Sequence, residues 1–108
     1  MASGRLGAVD PSATTLTAVY TVPASTVSTV SVNLCNRGAA AITVRLAHLD
    51  GAIGTIANED YIEYDVTIPA NGGTLVRTGI VMAATHVIAV YTDLATLSAQ
   101  VWGWEEGA

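Results

Sequence analysis

The stretch from Val27 to Leu49 constrains the fold of this chain more than any other. Two runs of alternating apolar and polar residues flank a short polar turn at Asn36-Arg37-Gly38. Alternation with a period of two places one row of side chains on a core and the other in solvent, as in a β-strand. Asn and Gly tolerate the backbone angles of tight turns. The stretch predicts a central β-hairpin, with these apolar residues facing the core: Val30, Val32, Leu34, Ile42, Val44 and Leu46.

The rest of the chain repeats the same pattern. Further strands are predicted at 14–22, 61–68, 74–81, 86–92 and 97–104, separated by turn signals such as Pro23 and Asn71-Gly72. In the 61–68 strand, alternation places Ile62, Tyr64, Val66 and Ile68 inward. The high Thr and Val content favours strands over helices. We therefore expect an all-β fold, an antiparallel β-sandwich or jelly-roll-like structure of about seven to eight strands.

A chain of 108 residues is expected to form one domain with a single core. Residues 1–13 are short of large apolar side chains and carry two glycines, so we predict an N-terminal arm outside the sandwich. The sandwich is predicted to cover 14–104, followed by a polar C-terminal tail at 105–108. The loop after Leu49 is predicted to have its own small apolar anchor in Ile53 and Ile56.

Charge is unusually sparse in this sequence. Charged residues make up 12%, Lys is absent, and the net charge is −5. Four scattered Arg residues cannot form the cationic surface that nucleic acids require, so no nucleic-acid partner is expected. No apolar stretch approaches the ~20 residues of a membrane span. Cys35 is the only cysteine, which fits synthesis in a reducing cytoplasm. A lightly charged surface favours contact with other protein subunits.

The sequence contains no recognisable catalytic motif. Glu63 and Asp65 stand two apart and are expected to share the solvated face of one strand. His48 and His86 lie 38 residues apart and are interpreted as strand-end residues rather than metal ligands. No phosphate loop, nucleophile elbow or metal-binding spacing occurs. We therefore expect a protein that is not an enzyme and has no cofactor or metal.

Trp102 and Trp104 are the strongest candidates for a binding site. Being two apart on one strand, they should share a face. They can anchor a neighbouring subunit, cap the core, or stack against a sugar near Glu63 and Asp65. The predicted arm adds a second candidate surface, because apolar side chains in a flexible segment can order on a partner. The candidate partner interface comprises Arg5, Leu6, Val9, Trp102 and Trp104.

Several segments resemble the small structural proteins of tailed-bacteriophage virions. They are Tyr-Thr-Val-Pro at 20–23, Val-Ser-Val-Asn-Leu-Cys-Asn-Arg at 30–37, Ile-Thr-Val-Arg-Leu-Ala at 42–47 and the run from Asp60 to Asn71. The segment 78–92 fits the same pattern, so the resemblance covers about 16–103. It implies a β-sandwich virion component without enzymatic activity. The shared positions are folding positions, so the resemblance assigns no functional residues.

These expectations combine into a capsid decoration (cement) protein. It would bind the major capsid protein on the outside of the shell as a homotrimer, after synthesis in the host cytoplasm. A tail or baseplate component is the alternative within the virion. A carbohydrate-binding adhesin module is the alternative from a different class, with Trp102 and Trp104 as its stacking platform.

Overall fold

Two four-stranded antiparallel sheets pack face to face in the computed structural model, which describes residues 2–108. The strands are β1 (Ser3–Val9), β2 (Thr17–Thr21), β3 (Thr26–Asn36), β4 (Ile42–Leu49), β5 (Tyr61–Ile68), β6 (Thr74–Met82), β7 (Val87–Thr92) and β8 (Leu97–Gly107). Two single 3₁₀ turns, Ile53–Thr55 and Asn58–Asp60, lie between β4 and β5. Neither is long enough to span a membrane, and residues 2–108 contain no other helix.

The order of the strands defines a jelly roll. The front sheet has the order β1-β8-β3-β6 and the back sheet the order β2-β7-β4-β5. Apart from β4 and β5, consecutive strands alternate between the sheets, which is the double Greek-key arrangement of eight-stranded jelly rolls. The predicted all-β sandwich of jelly-roll type is confirmed. Between the sheets lies one main core, built from the inward rows of both.

The predicted hairpin is wrong, although its inward rows are right. The six predicted core residues of this stretch are all buried, but β3 belongs to the front sheet and β4 to the back sheet. Their connection crosses between the sheets, held by the buried side chain of Asn36. This amide donates to the carbonyl oxygens of Ala40 at 2.8 Å and Ile68 at 3.3 Å, and its Oδ1 accepts from Thr96 Oγ1 at 2.9 Å. Alternation shows which side chains face the core, but it does not choose the neighbouring strand.

The predicted arm is a strand of the front sheet. Over 3–9 the chain pairs antiparallel with β8, and Leu6 and Val9 pack against the core. Met1, the first residue of the predicted arm, lies outside the described residues. A register shift between Arg5 and Gly7 turns Leu6 inward, and two glycines break the apolar pattern. These irregularities hid the strand from sequence reasoning, because a bulge disrupts the period of two.

The predicted C-terminal tail is also part of the fold. Strand β8 continues to Gly107, and its last residues pair with the start of β3. Glu105 lies opposite Ser28, and its carboxylate accepts a 2.6 Å hydrogen bond from the Tyr20 hydroxyl of β2. The sandwich therefore covers nearly the whole described chain, and the boundaries predicted at residues 13 and 104 are wrong.

Strand β5 departs from the predicted facing. Ile62 and Tyr64 are exposed, whereas Glu63 lies opposite the buried Leu46. The register shifts twice between β4 and β5, and Asp65 has a positive φ of 54°. A bulge reverses the side to which the neighbouring residues point. In the first half of β5, the residues predicted to face the core therefore face outward.

The loop after β4 covers the outer face of the back sheet. The predicted anchor is confirmed, because Ile53 and Ile56 pack on a small cluster of buried residues in β4 and β7. Leu16 and Tyr61 pack against the same cluster, which comprises Ala47, Leu49, Val87 and Ala89. The back sheet is therefore buried on both faces at this end.

Candidate functional site

Trp102 and Trp104 lie on the outer face of the front sheet, on the second half of β8. Their side chains are 43% and 50% exposed, so they do not cap the core. They share a face, as their spacing predicted. A buried tryptophan contributes apolar area to a fold, but these two leave much of that area in water. Their exposure makes this face the candidate site.

The tryptophans stay exposed because their neighbours are small. On β3, Ser31 lies opposite Trp102 and Thr29 opposite Trp104. Gly79 on β6, with φ of 70°, also lies beside the tryptophans and has no side chain to cover them. The indoles border a shallow groove of about 280 Å³, with glycine backbone from both neighbouring edges in its lining. The residues of β3 and β6 that line this groove, Thr29, Val30, Ser31 and Gly79, are all small.

Gly103 allows β8 to approach β3 closely between the two indoles. A Cβ atom at this position would lie 2.0 Å from the carbonyl oxygen of Thr29 and 2.9 Å from the Cα of Val30. Only glycine fits such an approach. In the Trp-Gly-Trp sequence, two large side chains point outward and the glycine between them has no side chain. The two indoles therefore flank a close contact between the backbones of β8 and β3.

The apolar surface continues across β3 to the edge strand β6. Val81 is 70% exposed and lies opposite Thr29, in the row that also holds Trp104. A second groove of about 200 Å³ separates Val81 from Trp104. We call Thr29, Ser31, Val81, Trp102 and Trp104 the tryptophan face. None of these five residues is charged, but the carboxylate of Glu106 lines the second groove, so a partner that fills it must meet one negative charge.

The structure brings together three of the five predicted interface residues. Arg5 lies opposite Trp102 on β1, so the guanidinium borders the tryptophan face. Leu6 and Val9 point the other way and contact the core. Leu6 and Val9 therefore stabilise the fold and are not available for contact with a partner.

The predicted sugar site is not assembled. Glu63 forms an ion pair with Arg77 of β6, which joins the open edges of the two sheets. Asp65 accepts a 2.7 Å hydrogen bond from Arg45 Nε on β4. The bulge places the two carboxylates on different partners, so they do not share a solvated face as predicted. Both lie on the back sheet, away from Trp102 and Trp104.

Arg45 is held between two aromatic rings on the outer face of the back sheet. Its guanidinium carbon lies 4.3 Å from the ring centre of Tyr64 and 4.9 Å from that of Tyr91. The hydrogen bond to Asp65 raises the pKa of Arg45 further. Tyr64 and Tyr61 meet edge to face at 4.9 Å and, with Asn58, line a shallow groove of about 340 Å³. This surface is polar and internally paired, unlike the tryptophan face.

His48 and His86 meet at one end of the sandwich. His48 Nε2 lies 2.9 Å from His86 Nδ1, with the ring centres 5.0 Å apart. Burial lowers the pKa of His48, the neighbouring His86 lowers it further, and the carboxylates of Asp60 and Asp50 oppose the shift. Both residues occupy strand ends, as predicted, but sequence reasoning missed their contact. A separation of 38 residues carries no local signal that a crossover will join them.

No cluster of three or more His, Cys, Asp or Glu side chains able to hold a metal ion occurs within residues 2–108. Cys35 is a free, half-buried thiol on β3. The tryptophan face, with two half-exposed indoles beside a groove, is the candidate site taken further below. No family model matches the sequence, and no match was found among curated proteins or solved structures.

Proposed function

We propose that this protein is a structural component of a tailed-phage virion, a capsid decoration protein that attaches to the shell through its tryptophan face. The observation that carries the proposal is the exposure of Trp102, Trp104 and Val81 on one mainly apolar face. The virion setting rests on the sequence resemblance described above. Jelly rolls occur in viral capsid domains and also in lectins, so the fold is compatible with this setting without assigning it.

The chemistry of the face favours a protein partner. Tryptophan is the residue type most enriched where protein interfaces concentrate their binding energy. Small hydroxyl side chains, Thr29 and Ser31, surround the indoles and can accept close approach by another backbone. Arg5 at the border can pair with a carboxylate on the partner. We therefore propose an apolar, acidic-rimmed patch of the major capsid protein as the occupant.

The proposed attachment also suits repetition by identical copies. We propose a homotrimer, since closed cyclic symmetry is the usual arrangement of identical subunits and three weak contacts reinforce one another. The oligomer would have three times the 11.0 kDa mass of the chain. Light scattering at micromolar concentration measures this mass directly, and a monomer across that range would contradict a pre-formed trimer.

Binding to shells that lack this protein tests the attachment. Wild-type protein is expected to co-sediment with such shells, whereas Trp102→Ala and Trp104→Ala should each weaken binding. Truncating a central tryptophan typically costs ~2–4 kcal/mol, or roughly 30- to 1000-fold in affinity. Tyr64→Ala is the matched control, because Tyr64 is an equally exposed aromatic residue on the back sheet.

Three outcomes of this experiment would redirect the proposal. Equal losses for the tyrosine and tryptophan variants would contradict a role for the tryptophan face. Binding to tails but not to shells would favour the tail or baseplate alternative. Tryptophan-dependent retention on a glycan array, without binding to shells, would favour the adhesin alternative.

A further inference from the structure

His48 and His86 join two separate parts of the chain at one end of the sandwich. His48 is the penultimate residue of β4 and lies opposite the buried Ile88. His86 ends the connection from β6 and immediately precedes β7. The facing nitrogens, His48 Nε2 and His86 Nδ1, lie 2.9 Å apart, which is the length of an ordinary hydrogen bond. The pair is therefore a direct side-chain contact between β4 and this connection.

The connection itself, residues 83–86, includes an unfavourable backbone conformation. Thr85 has a positive φ of 69°, which is rare for a β-branched residue. Its amide donates to the carbonyl oxygen of Val22 at 3.0 Å, and the Val22 amide donates to the carbonyl oxygen of His86 at 2.9 Å. Neither Val22 nor Thr85 has an ionisable side chain. Because a strained segment persists only while its surroundings hold it, the connection depends on these backbone bonds and on the contact with His48.

The hydrogen bond between the two rings requires that at least one of them be neutral. A neutral imidazole has one N–H and one lone pair, whereas an imidazolium has two N–H groups and no lone pair. When one ring is protonated, its N–H still donates to the lone pair of the other. When both are protonated, two N–H groups and two positive charges face each other, so the bond is lost and the rings repel. The contact therefore tolerates a first proton and breaks on the second.

The surroundings of His48 oppose its protonation. Burial lowers the pKa of His48 from its ordinary value of 6.5, and the neighbouring His86 lowers it further. Two carboxylates act in the opposite direction, Asp60 in the 3₁₀ turn before β5 and Asp50 directly after β4. Because the lowering effects are larger, the ring of His48 stays neutral at neutral pH and takes up its proton only in acid.

We propose that the His48–His86 contact is an acid-sensitive latch at the end of the sandwich. When both rings are protonated, the connection 83–86 separates from the end of β4, and its backbone bonds to Val22 open. Neither histidine belongs to the main core, so the opening is local and the two sheets stay packed. This inference is independent of the proposed attachment to a shell.

Amide hydrogen exchange of the full chain, followed by NMR from about pH 7.5 to about pH 5.0, tests the latch. Asp and Glu, with ordinary pKa values of about 3.9 and 4.3, stay mostly charged over this range. The Val22 and Thr85 amides report the opening, because their hydrogen bonds hold the connection. Their protection factors, corrected for the intrinsic effect of pH, should fall at least about 5-fold between these limits. The Asn36 amide, bonded to Gly73 at the opposite end of the sandwich, should change less than about 2-fold.

His48→Gln is the matched variant, because its side-chain amide replaces Nε2 but cannot become charged. The amide oxygen can accept a hydrogen bond from a protonated His86, so Val22 and Thr85 should stay protected in acid. An NMR titration of the histidine rings in the wild type gives a second measurement that does not require this variant to fold. His48 should gain its proton at a lower pH than in the unfolded chain, because burial and His86 lower its pKa.

Four outcomes would overturn the proposal. The first is full protection of Val22 and Thr85 in the wild type at about pH 5.0. The second is an equal loss of protection in His48→Gln, which would assign the opening to another group. The third is a His48 ring that titrates as it does in the unfolded chain. The fourth is an equal loss at Asn36, which would mean that acid unfolds the whole domain rather than one end of it.

Discussion

The outer faces of the two sheets differ in how the chain itself covers them. On the back sheet, Ile53 and Ile56 fold over buried alanine and leucine side chains, and Arg45 is held between two tyrosines. On the front sheet, Trp102 and Trp104 stay about half exposed, with small residues of β3 beside them and Arg5 of β1 opposite Trp102. The chain covers one end of the back face with its own loop and leaves Ile62 and Tyr64 exposed on β5, whereas no loop within residues 2–108 covers the two tryptophans of the front face. The contrast shows that large apolar side chains left exposed by the fold are a useful sign of a binding surface.

The inner faces, in contrast, should be equally sensitive in both sheets. Val32 of β3 and Val44 of β4 are fully buried on opposite sides of the core. Val32→Asp and Val44→Asp should each abolish the folded state, because an unpaired buried carboxylate costs several kcal/mol against a total stability of ~5–15 kcal/mol. Circular dichroism melts check this. Val81→Asp, which places the same charge on the exposed front face, should still unfold cooperatively, and wild-type-like melting of either core variant would contradict the sandwich.

Gly103 in the front sheet and Gly54 in the loop over the back sheet should respond differently to a methyl group. Gly103→Ala places a Cβ against the Thr29 carbonyl oxygen and should cost about 2–4 kcal/mol, since the β3–β8 ladder must shift. Gly54→Ala, in the cover of the back sheet, meets open space and should change stability by less than about 0.5 kcal/mol. Urea denaturation measures both. Similar values for the two variants would mean that β8 does not lie this close to β3.

The Tyr20–Glu105 hydrogen bond links the sheets and predicts a pH dependence. Burial, followed by the hydrogen bond to Glu105, raises the pKa of Tyr20 from 10.0 to about 12. Below pH 10 the phenol is protonated in both states, so its contribution to stability is complete. Between pH 10 and 12 the unfolded chain loses this proton first, so stability should fall with rising pH, by up to roughly 2–3 kcal/mol.

Urea denaturation at pH 8 and at several values above 10 measures this loss. The Tyr20→Phe variant is the reference, because it should start with lower stability and lack this part of the slope. Identical slopes for the two proteins would contradict a buried, hydrogen-bonded phenol.

The smallest expected effects concern the apolar side chains on the outer faces of the two sheets. Ile53→Ala and Ile56→Ala should each cost about 1–2 kcal/mol of stability, because they are partly buried against the back sheet. Trp102→Ala and Trp104→Ala should each cost less than about 1 kcal/mol, since half of each side chain is already in water. Melting temperatures rank the four variants. A tryptophan variant less stable than both isoleucine variants would mean that the front face stabilises the fold rather than serving a partner.

Local pattern was sufficient to predict every strand except β1, and most of their inward rows. Val30, Val32 and Leu34 on β3 face the core as their spacing requires, and Trp102 and Trp104 share a face for the same reason. The period of two is a property of each strand alone, so it can be read without knowing any neighbour. The anchor formed by Ile53 and Ile56 was also predictable, because isolated apolar residues in a loop need a surface to cover.

Tertiary structure alone decided which strands are neighbours and where the pattern reverses. The β3–β4 turn is a crossover in which Asn36 bonds the carbonyl oxygens of Ala40 and Ile68 and the hydroxyl of Thr96, and no local signal reports the two distant partners. Bulges at Leu6 and Asp65 changed the facing of β1 and β5. The His48–His86 contact and the exposure of the tryptophans depend on strands that are far apart in sequence. Such long-range choices arise from packing whole sheets together, which the alternation of a single strand does not encode.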